Sequence, residues 1–142
     1  MDLGTPSTSS PVTQFLQSFQ ALSDDQPGDP AMIAVPPVAQ FQRRILLAVP
    51  AGYAQDHAVI VTRGAGEVRL DGAPIPAEDF DDVGVARGEP HAFVQVPLSP
   101  GAHEIEADVP VGVTVMGFGD AVSYGYPGAA GLRVIAIPPV SE

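Results

Sequence analysis

From Met32 onward the apolar residues fall in short runs bounded by glycine, proline and aspartate, and several of these runs alternate with period two. In His103-Glu104-Ile105-Glu106-Ala107, and again in Val111, Val113 and Val115 against Gly112, Thr114 and Met116, every second residue is apolar. Successive strand residues point to opposite faces, so this pattern predicts half-buried β-strands with one wet face. The same reading predicts strands over residues 32–35, 38–49, 57–63, 67–70, 93–98, 102–108, 111–118, 121–126 and 132–137. Val59, Val61, Ile105, Val113 and Val115 are expected to point into the core.

The connections carry turn chemistry. Gly64-Ala65-Gly66 is expected to fold residues 57–63 back on 67–70 as a hairpin, Asp71-Gly72 makes the next turn, and Ser99-Pro100-Gly101 is a tight connection. Pro74 and Pro76 keep their neighbourhood out of central ladder positions. Residues 1–11 are rich in Ser, Thr, Gly and Pro and read as a flexible leader. Phe15, Leu16, Phe19 and Leu22 recur at near-helical spacing behind Thr13, which predicts one short amphipathic helix stopped by Ser23-Asp24-Asp25-Gln26-Pro27-Gly28-Asp29-Pro30. No repeat of 20 to 50 residues is visible, which argues against a solenoid or propeller. The expected architecture is all-β: an antiparallel, jelly-roll-like β-sandwich over residues 31–142, preceded by a leader and helix over 1–30.

Composition sharpens this picture. The 142 residues allow one domain with a real core, and the 15 glycines and 16 prolines favour short strands and many turns over long helices. Seventeen Asp and Glu stand against six Arg and no Lys, a formal net charge of −11. Nucleic acid and anionic membrane surfaces require a cationic footprint, so neither is an expected partner. Without cysteine there is no disulfide framework, thiolate metal site or cysteine nucleophile. No apolar run approaches the ~18 residues of a membrane helix, and the N-terminus lacks the basic and apolar regions of a signal peptide.

Candidate chemistry is sparse. Ala121-Val122-Ser123-Tyr124-Gly125 only superficially resembles a serine nucleophile elbow. Pro127 and Gly128 oppose the helix that such an elbow needs, and no Asp or His follows Ser123. His57, His91 and His103 lack H-x-H spacing and read as turn-bonding or solvated residues rather than as a zinc triad. Glu78, Asp79, Asp81 and Asp82 surround Phe80 in an apparent loop. They offer hard oxygen ligands for a Ca²⁺ ion, without EF-hand spacing, or else form a solvated acidic loop with Phe80 pinned to the core. Tyr124 and Tyr126, two residues apart, share a face that Phe118 can approach. They form either an aromatic recognition platform or internal packing in which Gly125 permits close backbone approach. No other cofactor is implied, and the expectation is a protein without catalytic activity.

Four stretches carry a family resemblance: AGYAQDHAVIV at 51–61, VRLDGAPIPAEDFDDVG at 68–84, LSPGAHEIEADVPVGVTVMGFG at 98–119 and VSYGYPG at 122–128. With their Leu-Asp-Gly turn, Gly-x-His before an alternating strand, V-x-G-F and S-Y-G-Y-P-G, the segment 45–128 resembles the N-terminal-type domain of IgGFc-binding proteins, as found in bacterial secreted and surface proteins. The resemblance implies an extracellular or cell-surface β-domain that acts in adhesion by binding a protein or glycan. The alternative is a building block of a larger coat, fibre or appendage, in contact chiefly with copies of itself.

Overall fold

A computed structural model describes residues 28–131. Eight antiparallel strands form one hydrogen-bonded sheet: β1 (Gln42–Val49), β2 (Gln55–Arg63), β3 (Val68–Leu70), β4 (Ala73–Pro74), β5 (Asp81–Ala86), β6 (Glu89–Pro97), β7 (Gly101–Gly119) and β8 (Val122–Pro127). The all-β antiparallel class is as expected. The expected N-terminal helix and the strand at 132–137 lie outside the described residues.

β7 organises the molecule. Its first half is flanked by β1 and β3, since Ile105 is the cross-strand partner of both Ile45 and Leu70. Its second half is flanked by β2 and β8, since Thr114 faces both Val59 and Pro127. The outer strands complete the order β4-β3-β7-β2-β6-β5. Residues 108–110 belong to neither set of pairs, so Pro110 sits where β7 changes neighbours and its missing N–H breaks no ladder. The two strands expected here are therefore one extended run with an interrupted ladder.

The sheet curls around a single core to which β1, β2, β3, β6 and β7 contribute. Ile45, Leu47 and Val49 of β1 meet Ile105 and Ala107 of β7 and Val68 of β3. Val111, Val113 and Val115, continuing with the same parity, meet Ala58 and Ile60 of β2 and Val94 of β6. Ile105, Val113 and Val115 are buried as expected.

Val59 and Val61 are not. β2 turns Asp56, Ala58, Ile60 and Thr62 inward and leaves the two valines half-buried on the other face. Ala58-Val59-Ile60-Val61 is apolar at every position, so period two cannot select a face, and the pairing of Ile60 with Val113 and Val94 decides it.

Three other expectations change. Residues 32–35 form no strand, and the chain enters β1 through a short 3-10 turn, Val38–Gln40. Gly64-Ala65-Gly66 does not close a hairpin: β2 pairs with β6, while β3 pairs with β4 and β7, so the glycine-rich link carries the chain from one half of β7 to the other. The acidic stretch is only partly a loop. Glu78 and Asp79 lie in a second 3-10 turn, Ala77–Asp79, whereas Asp81 and Asp82 open β5. Arg87 and Gly88, both with positive φ (54° and 79°), make the tight β5–β6 turn.

Candidate functional site

Tyr124 and Tyr126 lie on the core-facing side of β8, opposite Gly117 and Val115 of β7. Tyr124 crosses over Gly117, where a Cβ would collide with its ring and with the Asp56 carboxylate. The tyrosine thereby reaches the strand beyond β7 and donates its hydroxyl to Asp56 Oδ1 at 2.7 Å. Asp56 is only 6% exposed, so this bond partners a carboxylate taken almost wholly out of water. Burial, and then the Asp56 carboxylate, hold the Tyr124 phenol above its ordinary range. Tyr53 packs edge-on against Tyr124 at 4.5 Å, and Tyr126 stacks on its other side at 6.2 Å.

The Tyr126 hydroxyl donates to the Ala48 carbonyl at 2.7 Å and accepts from the Ala48 amide at 3.2 Å. It thus covers ladder groups that β1 would otherwise present as a bare edge. Phe118 lies apart on the opposite face, against the His57 ring at 5.7 Å. The geometry therefore unites the two tyrosines with Tyr53 and Asp56 and sets Phe118 aside. Ser123 lies within β8, where its hydroxyl accepts from the Asp29 amide at 2.8 Å.

A second polar constellation joins two turns. Leu70-Asp71-Gly72-Ala73 is a hairpin turn with positive φ at both central residues, 52° at Asp71 and 81° at Gly72, a conformation that aspartate and glycine tolerate. Asp71 then directs one carboxylate oxygen to the Glu104 amide (2.8 Å) and the other to His103 Nδ1 (2.7 Å). His103 Nε2 faces the Ser99 carbonyl at 2.7 Å. With an acceptor at each ring nitrogen, the protonated imidazole is favoured and its pKa is raised, first by Asp71 and then by Ser99. The Asp71 carboxyl is lowered, first by His103 and then by the Glu104 amide.

The sign of the pH effect follows. A raised His103 contributes stability that is fully present below its ordinary value of 6.5 and is lost as pH rises through its folded value. A lowered Asp71 contributes stability present above 3.8 and lost as pH falls through its folded value. Because the Asp71 side chain is 48% exposed, solvent keeps the effect modest. The melting temperature lost in His103→Gln should be larger at pH 5.5 than at pH 8.5; an equal loss at both would show that the ring acts only by packing.

The acidic residues meet no such partners. Glu78, Asp79, Asp81 and Asp82 are all exposed, and Asp82 Oδ1 accepts from the Gly84 amide at 2.7 Å in a local turn. Among the described residues, no three His, Asp or Glu side chains converge as a metal cage.

These acids follow, in the chain, residues Ala77 and Phe80, which line a cleft of about 590 Å³. One wall is the link Gly64-Ala65-Gly66-Glu67, the other is Pro74-Ile75-Pro76-Ala77 with Phe80, and the floor is Thr62 and Ala92. The walls are tied to the sheet: the Gly64 amide donates to the Pro90 carbonyl (2.9 Å) and the Ile75 amide to the Val68 carbonyl (2.8 Å). The Thr62 hydroxyl donates to the Ala92 carbonyl at 3.3 Å, which leaves the floor with little unsatisfied polarity.

A family model for the IgGFc binding protein matches residues 6–117. The chain belongs to that family. The match starts further towards the N-terminus than the resemblance at 45–128 and ends within β7. No curated protein and no solved structure matches the chain.

In this member of the IgGFc binding protein family, the Leu-Asp-Gly and Gly-x-His words are distant in sequence but joined in space by the Asp71–His103 contact. Sequence reasoning missed that junction, the Tyr124–Asp56 bond and the cleft. For the first two, the only local signals were a polar residue at an inward position, Asp56, and a histidine beside a turn. The cleft lines a connection misread as a hairpin, so its two walls could not be placed together.

Proposed function

We propose that this chain is a non-catalytic, extracellular or surface-displayed module that binds another macromolecule. Membership of the IgGFc binding protein family over residues 6–117 carries the reading. The geometry supports it. Several polar side chains capable of chemistry are engaged in structural contacts: Tyr124 and Asp56 with each other, Ser123 with the Asp29 amide, and His103 with Asp71 and Ser99. What remains open is a preformed cleft on a sheet scaffold, within the roughly 300–1,000 Å³ range of ligand pockets.

Immunoglobulin G Fc, the ligand in the family's name, is the first candidate, with other proteins and glycoproteins as a panel beside it. The immobilised chain should bind at least one member of such a panel saturably, and heat-unfolded chain should not. Failure of the folded chain to bind any of them would remove the reading. A role as an assembly unit is favoured by one feature, the edge strand β5 with Val83 and Val85 exposed at 61% and 73%. A mass measurement in solution separates the two, since self-assembly requires oligomers of the isolated chain.

A further inference from the structure

We infer, resting on the binding-module reading, that the cleft between the Gly64–Glu67 link and Pro74–Phe80 receives an extended, cationic segment of a partner protein, anchored by an apolar side chain. The interior of the cleft is built for apolar contact. Ala65, Pro74, Ile75, Pro76, Ala77 and Phe80 supply most of its walls, and Glu67 is the one ionised residue among its lining groups. Among the described residues no buried side-chain nitrogen or oxygen lacks a hydrogen-bond partner. The cleft therefore offers no convergent set of polar groups with which to orient a small polar metabolite. An aliphatic or aromatic side chain needs none.

Charge sets the chemistry of whatever flanks that anchor. Glu67 lines the cleft, Glu78 and Asp79 stand on the 3-10 turn that begins at Ala77, and Asp81 and Asp82 follow Phe80. Asp108 joins them, its carboxylate accepting from the Glu67 amide at 3.3 Å. The arginines adjoining the lining residues are already paired, Arg63 with Glu89 and Arg69 with Glu67. With Glu67 and Glu89 engaged by these arginines, the negative charge beside the apolar slot comes from Glu78, Asp79, Asp81, Asp82 and Asp108, and on a chain with a net charge of −11 it attracts a segment bearing Lys or Arg and repels an acidic one. Nucleic acids and anionic lipid surfaces are repelled by the same field.

Two features favour an extended segment over a helix. The slot runs between two strand connections, and β5, which begins next to Phe80, pairs among the described residues on one side only, with β6. An extended chain can lay its backbone against that open edge while one side chain enters the cleft. The prolines and the tied walls preorganise the slot, so little ordering is required on binding.

An array of nine-residue peptides tests this, each with Leu, Ile, Phe or Ser at the centre and Lys, Ser or Glu at the flanks, probed with the full chain. Binding should rank Lys above Ser above Glu flanks and should need an apolar centre. For the best peptide in solution, affinity should fall at least about tenfold in Ala65→Trp, which fills the cleft from an exposed position, and in Glu78→Lys/Asp79→Lys. It should also weaken as salt rises. Thermal melts unchanged from the parent would show that both variants are folded. Equal binding of Glu-flanked peptides, no binding at all, or unaltered binding by Ala65→Trp would overturn the assignment. So would a dimer that Ala65→Trp dissociates, because the occupant would then be a second copy. If a panel glycoprotein binds parent and Ala65→Trp alike, the cleft assignment falls while the module reading stands.

Discussion

Ile105→Ala lowers the stability of the domain by about 4 kcal/mol, because it opens a cavity at a buried position of β7 that is wedged between strands on both sides. Ile105 is fully buried and is the cross-strand partner of Ile45 and of Leu70. Relaxation from either side is opposed by ladder hydrogen bonds, so the site cannot collapse cheaply. Urea unfolding should show a shifted midpoint with an unchanged slope. A loss below about 1 kcal/mol would mean that Ile105 is not in the core, and with it the register of β1 and β3 on β7 would fall.

Gly117→Ala has the second largest expected effect, a loss of about 3 kcal/mol from overpacking together with a broken charge-assisted hydrogen bond. The added methyl displaces the Tyr124 ring and leaves the Asp56 carboxylate buried without its donor. Tyr124→Phe removes the donor and keeps the ring, so it should cost less than Gly117→Ala. A harmless Gly117→Ala would show that the ring does not cross β7. The same contact predicts alkaline sensitivity. With the Tyr124 phenol raised in the folded state, its contribution is complete below the ordinary value of 10.0 and declines as pH rises past it.

Much of the fold was legible because alternation, where it is strict, reports burial directly. Ile105 and Val113 were each flanked by small or polar residues and Val115 followed Thr114, and each of the three is buried. Where alternation was absent, reading failed: the run Ala58 to Val61 has no polar residue to mark its wet face, and the core is chosen by cross-strand partners some fifty residues away. β5 was hidden for another reason. An edge strand needs no buried face, so Asp81, Asp82 and Gly84 can occupy it, and its exposed Val83 and Val85 carry no core signal. The cleft depended on pairings between distant segments, which a single sequence does not encode locally. The aromatic cluster was half legible, since Tyr-Gly-Tyr marked internal packing as one of its two readings while Asp56 gave no hint that it was the anchor.

The order in which strands are joined constrains how this chain is made. β1 and β3 reach their place only through β7, and the Arg44–Glu104 ion pair spans 60 residues. A polypeptide emerging from a ribosome can therefore assemble, among the described strands, the β3–β4 hairpin and the β2–β6–β5 unit before β7 emerges to join them. Pairing of such distant segments is slow, since loop-closure entropy must be overcome before any contact compensates it. The two halves of the sheet are thus joined late in synthesis, when β7 becomes available to both. This order also makes premature termination before β7 unforgiving, because β1, β2 and β3 would each be left with the edge that β7 covers.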